Sequence, residues 1–76
     1  MNAERKPIYL TRHAVQRALK YDLNPETVEK IIREGERKPE GKTKTRYVLR
    51  SKRSTWVAIC EEHSYQIIVL TITKGG

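Results

Sequence analysis

Cleavage of RNA without a metal needs three kinds of group around one phosphate: a base for the 2′-hydroxyl proton, an acid for the leaving oxygen, and cations for the charge that builds on phosphorus. The chain carries candidates for each. His13 and Arg17 are four residues apart, a spacing that sets both on one side of a helix within reach of a single phosphate. Arg50, or Arg46 at the same parity, offers a guanidinium that can hold a phosphate bidentately, and Thr71 or Thr73 offers a hydroxyl. His13, Arg17, Arg50 and Thr71 therefore form the candidate catalytic set. An equal alternative for His13 is a surface or packing histidine, because neither ring nitrogen has a partner visible in sequence.

The charge distribution points to the same class of ligand. Residues 37–53 hold eight Lys or Arg against the single acid Glu40, whereas the other 59 residues carry eight bases and eight acids. The whole net charge of +7 thus belongs to one stretch, and so polarised a field draws a polyanion to one side of a molecule. Lys42, Lys44, Arg46 and Arg50 share parity, so on a strand rising about 3.3 Å per residue they project in a row from one face, with a gap at Val48. Lys52 and Arg53 extend the row into a turn, and Tyr47 and Tyr65 are placed to stack a base. Lys42, Lys44, Arg46, Tyr47, Lys52, Arg53 and Tyr65 are the candidate RNA contacts. Two blander readings compete: a basic sheet edge that discourages edge-to-edge pairing, and lysine enrichment for thermal stability.

The elements that must position these groups change period near mid-chain. Ile8, Tyr9 and Leu10 predict a brief strand after Pro7. Thr11 reads as an N-cap, and Ala14, Val15, Ala18 and Leu19 follow at helical spacing as one buried stripe. A break at residues 21–23 leads to Asn24 and Pro25, a cap and a first-turn proline, then to Val28, Ile31 and Ile32 on a second helix that Gly35 stops. Beyond Gly41 the period is two, with strands expected at 43–50, 55–61 and 65–73 in an antiparallel meander. Trp56, Ala58 and Cys60 oppose Val57 and Ile59; Ile67 and Val69 oppose Ile68, Leu70 and Ile72. Two helices cover one face of so small a sheet, so the other apolar face needs a further occupant: a second copy, a partner's helix or a ligand. The predicted fold is α+β, βααβββ, one domain over residues 1–76, with Trp56 and Leu70 substantially buried.

A single cysteine excludes an intramolecular disulfide, and Cys60 in an apolar run reads as a small hydrophobe, which with the polar start at Met1–Lys6 predicts a cytoplasmic protein. Nothing approaches the roughly eighteen apolar residues of a membrane span. Cys60 and His63 make at most half a metal site. No phosphate loop, dinucleotide fingerprint or Ser-His-Asp arrangement is present, so neither a cofactor nor a metal is expected. Gly75-Gly76 reads as a flexible terminus rather than a ubiquitin-like tail, because the chain opens with helices instead of a β-hairpin.

Leu10-Thr11-Arg12-His13-Ala14 with Arg17, then Leu23-Asn24-Pro25-Glu26-Thr27-Val28, and the terminal Ile68-Val69-Leu70-Thr71-Ile72-Thr73 resemble the small prokaryotic family catalogued as domain of unknown function 4258. In element order that family is similar to the RelE and BrnT toxins, which act on RNA. The resemblance implies a RelE-like fold, an RNA substrate and an acidic antitoxin partner. Those toxins that cut messenger RNA on the ribosome carry several late Lys, Arg and Tyr residues, whereas Lys74 is the only late base here. Two expectations result: a metal-independent endoribonuclease of a toxin-antitoxin pair, or a non-catalytic module that binds RNA or protein through the basic strand.

Overall fold

The first helix begins where its sequence provides a cap. In the computed structural model, which describes residues 6–75, β1 (Ile8–Leu10) runs into α1 (Arg12–Lys20) through Thr11. Its hydroxyl accepts from the Ala14 N–H at 3.2 Å. At the other end of α1, the Leu23 N–H reaches the Ala18 carbonyl at 2.8 Å and the Asp22 N–H the Leu19 carbonyl at 3.1 Å. This is a Schellman closure, and it sets Asp22 at φ 58°. Helix α2 (Pro25–Glu34) opens on the Asn24 carboxamide, whose Oδ1 accepts from the Thr27 N–H at 2.8 Å. Gly35 ends it in extended conformation rather than as a left-handed cap. Its glycine is required by close approach: a Cβ there would collide with the Ile31 carbonyl oxygen and lie 3.0 Å from that of Val48.

The chain then turns directly into β2 (Glu36–Glu40), an element absent from the sequence expectation, followed by β3 (Lys44–Arg50), β4 (Thr55–Glu62) and β5 (Ile67–Gly75). The strands form one sheet in the order β1-β5-β4-β3-β2. The pairs β2–β3, β3–β4 and β4–β5 are antiparallel, and β1 joins β5 in parallel. Pro39 lacks an N–H and is tolerated because β2 is an outer strand. The fold is therefore α+β as expected, with one strand more than the three-stranded meander.

Both helices pack on one face, against Tyr47, Ala58, Cys60, Ile67, Val69 and Ile72. Of the α1 stripe, only Ala14 and Ala18 are buried, while Val15 and Leu19 are exposed. The two alanines let the helix lie close to the sheet, and the larger residues beside them project into a shallow apolar groove between β1, α1 and α2.

A β-bulge corrects the expected parity of β5. Cys60 pairs with Val69 but Ile59 pairs with Thr71, so Leu70 is the extra residue. Beyond it the alternation shifts by one, and Ile72 enters the core beside Ile67 and Val69 instead of joining Ile68. Thr11 secures the irregularity: its N–H donates to the Val69 carbonyl at 3.0 Å and its hydroxyl to the Leu70 carbonyl at 3.1 Å. Neither Trp56 nor Leu70 is as buried as expected. Trp56 packs partly against the core from the sheet end, and Leu70 stands in the bulge outside it.

The opposite face carries Val57, Ile59, Ile68, Thr71 and Thr73, all half-buried, and no described element covers it. No helix among the described residues is long and apolar enough to cross a membrane.

Candidate nucleic-acid interface

The basic row follows from strand parity. On β3, Thr45 and Tyr47 are buried toward the helices while Lys44, Arg46 and Arg50 are exposed on the uncovered face, with buried Val48 in the predicted gap. Register sets the row beside apolar neighbours: Arg46 pairs with Ile59, which pairs with Thr71, and Val48 pairs with Val57, which pairs with Thr73. The result is a basic margin along a half-apolar sheet face.

Strand β2 modifies that margin. Arg46 Nη2 donates to Glu40 Oε1 at 2.8 Å, and Arg50 Nη1 to Glu36 Oε1 at 3.5 Å. Lys38 approaches the same Glu36 carboxylate at 3.9 Å. These pairs are exposed, so each contributes little to stability and can be exchanged for a phosphate. Lys42, Lys44, Lys52 and Arg53 have no acidic partner among the described residues. Lys42 and Lys44 sit at one end of β3; Lys52 and Arg53 sit in the turn at the other.

The four groups nominated for cleavage are divided by the sheet. His13 is exposed on α1 and Arg17 is half-buried there, on the helix side. Arg50 and Thr71 belong to the uncovered side, because Thr71 is aligned through Ile59 with Arg46. The structure does not bring these four together. Arg17 instead lies 5.9 Å from the Tyr21 ring centroid, its Nε shielded and without a hydrogen-bond partner among the described residues. Tyr21 meets Trp56 edge-on at 5.6 Å, and Lys74 Nζ lies 5.9 Å from the Trp56 ring. Arg17 thus ends a ladder in which two cations, Arg17 and Lys74, flank the Tyr21–Trp56 aromatic pair.

The two tyrosines nominated for stacking separate likewise. Tyr47 is 4% exposed and faces the helices, so it offers no platform to a base. Tyr65 is 69% exposed in the β4–β5 turn, its ring 6.4 Å from that of His63.

Sequence reasoning missed Glu62, Lys6 and Arg37. Glu62 gathers three donors: Arg37 Nη2 and Nε at 2.7 and 2.9 Å, Lys6 Nζ at 3.3 Å and the Tyr47 hydroxyl at 3.3 Å. Burial by itself would raise the Glu62 carboxyl, but the hydrogen bonds from Arg37 and Lys6 outweigh it and hold the group below its ordinary value. Burial and the Glu62 charge push the Tyr47 hydroxyl up. Arg37 is held more firmly protonated by its hydrogen bond and ion pair with Glu62. Cys60 is buried in the core, where desolvation and the Glu62 charge push its thiol up to about 12, so it is no thiolate ligand or nucleophile at neutral pH. No group of three metal-ligating side chains occurs among the described residues.

Beside Glu62 the 41–43 turn, the 63–66 turn and the residues before β1 enclose an open polar hollow of about 450 Å³. Only three-dimensional convergence reveals it, since its cations come from three separate segments, at Lys6, Arg37 and Lys42–Lys44. Compared with protein-family models, curated proteins and solved structures, the chain matches none.

Proposed function

We propose that this protein is a RelE-like RNA-binding protein that receives the phosphate backbone along β3, on the face of the sheet its helices leave uncovered. The observation that carries this reading is the position of the cations that have no acidic partner among the described residues. Lys42 and Lys44 flank one end of the row and Lys52 and Arg53 the other, with Arg46 and Arg50 between them held only by exposed acids. Half-buried Ile59, Val57 and Thr71 beside the row give bases and riboses an apolar floor, and Tyr65 offers a ring for stacking.

Binding without cleavage has the better support of the two readings, because the nominated base His13 lies on the helix side while Arg50 and Thr71 occupy the opposite face. Affinity for single-stranded RNA should fall with salt at a log–log slope of about −0.7 per phosphate contact. Reversing Lys44 and Arg46 to Glu should weaken binding to all sequences alike. Salt-independent binding, or unchanged affinity in that double variant, removes RNA as the partner of this face. Incubating the purified protein with labelled RNA, alone and with ribosomes, tests cleavage directly: discrete products would restore the toxin reading.

A further inference from the structure

We infer that the hollow at the loop end of the sheet is a phosphoryl-binding site, separate from the β3 row but continuous with it through Lys44. The inference rests on the RNA reading for its source of phosphate and on the geometry of the hollow for its chemistry.

Three connections meet there because of register. Pairing of Lys44 with Glu61 brings the 41–43 turn beside the end of β4, and pairing of Ile8 with Ile67 brings the residues before β1 beside the 63–66 turn. The walls thereby receive Lys6, Arg37, Lys42 and Lys44, against Glu62 as the one carboxylate. Formal charge in the hollow is positive by three with His63 neutral. Thr43 and Ser64 add hydroxyls at the rim.

Glu62 does not cancel the site; it builds it. The carboxylate takes both Arg37 Nε and Nη2, which fixes the guanidinium plane and leaves Nη1 outside that pair. It also fixes the Lys6 ammonium, which keeps further donor positions. Lys42 and Lys44 have no acidic partner among the described residues. Gly41, at φ 71°, turns the chain with nothing within 4 Å of a Cβ position, so the turn stays open to a ligand. Several converging cationic donors and hydroxyls, with net positive charge left over, suit a compact multivalent oxyanion, and a phosphoryl group supplies that charge and those acceptors. An RNA strand lying along β3 would deliver one of its phosphates here.

The test is a titration of the isotope-labelled chain with inorganic phosphate, followed through backbone amide shifts. Saturable shifts should concentrate at Gly41, Lys42, Thr43, His63 and Ser64, and Lys42→Glu should weaken phosphate binding by about tenfold, the equivalent of one charge-assisted hydrogen bond. Lys42→Ala, which introduces no repulsion, should weaken it less. Shifts that are absent, or equally strong at Lys52 and Arg53, overturn the site. Arg50→Glu separates the two readings: it should weaken single-stranded RNA without altering phosphate binding. Phosphate bound in the hollow with no affinity for RNA upholds the site for free phosphate and refutes the RNA reading. RNA bound by the parent and weakened by Arg50→Glu, with no phosphate shifts in the parent, refutes the site alone.

Discussion

Glu62 shows how one carboxylate can organise side chains from three separate segments of a basic protein. It ties Lys6, Arg37 and Tyr47 to the end of β4. The side chain is about one-fifth exposed, so solvent screens part of each interaction, and Glu62→Gln should cost about 1 kcal/mol, a fall in Tm of about 4–8 °C for a domain of this size. Because the folded state holds this carboxyl below its ordinary value of 4.5, its stabilisation is complete above that value and disappears as pH falls through the lower, folded one. Melting curves from about pH 5 to about pH 3 should therefore show a steeper loss of Tm in the parent than in Glu62→Gln. Parallel curves would mean that the carboxylate is not paired in solution. Tyr47 has the opposite sign: its hydroxyl is raised above 10.0, so its contribution is lost as pH rises past that value. The nomination of Tyr47 for stacking overlooked its parity, which is that of Thr45 and Leu49 and opposite to the basic row. The convergence on Glu62 was not legible in sequence, because Lys6, Arg37 and Glu62 are far apart in the chain and only sheet register unites them.

At the scale of elements, the sequence was clearest where local chemistry decides the backbone. Thr11, Asn24 with Pro25, and Gly35 each mark a helix boundary through a cap, a fixed φ or a close approach, and all three lie where the structure bends. Strand β2 escaped notice because Glu36-Arg37-Lys38-Pro39-Glu40 has neither β-branched nor aromatic residues, so tertiary pairing with β3 overrides its propensity. Missing β2 also hid the Glu36 and Glu40 partners of the basic row. The bulge was invisible for another reason: β5 is apolar on both parities, and a slip of one residue leaves such a pattern unchanged. Its consequence is measurable. Ile72→Ala, in the core at 0% exposure, should cost about 3 kcal/mol, whereas Leu70→Ala should cost about 1 kcal/mol or less. Equal losses would restore the unbulged register. Asp22 supplies a second measurement, since a non-glycine residue at φ 58° stores strain that Gly relieves. Asp22→Gly should raise Tm by a few degrees, corresponding to about 0.5–1 kcal/mol; no change would show that the aspartate side chain compensates locally.

The whole molecule is a sheet with unlike sides. One side is sealed by two helices, with Ile31 of α2 and Val69, Ile72 and Cys60 of the sheet as the largest fully buried side chains. The other presents half-buried aliphatics bordered by cations. His13 and the basic row thus lie on opposite sides of the sheet, although both features are real in the sequence: the i, i+4 pair and the strand parity each fix a face of their own element, while the relative orientation of those elements is decided by packing. This division gives the final prediction. His13→Ala and Arg17→Ala should leave single-stranded RNA affinity within about twofold of the parent, because neither residue borders the uncovered face. Lys44→Glu combined with Arg53→Glu should lower it by roughly the product of the single effects, since the two sites lie at opposite ends of β3 and share no partner. Arg17→Ala should nonetheless lower Tm, because its guanidinium leaves the Tyr21 ring and the ladder to Trp56 loses its end. A large loss of RNA affinity in His13→Ala, with the melting temperature unchanged, would relocate the ligand to the helix side and return His13 to the position of a catalytic candidate.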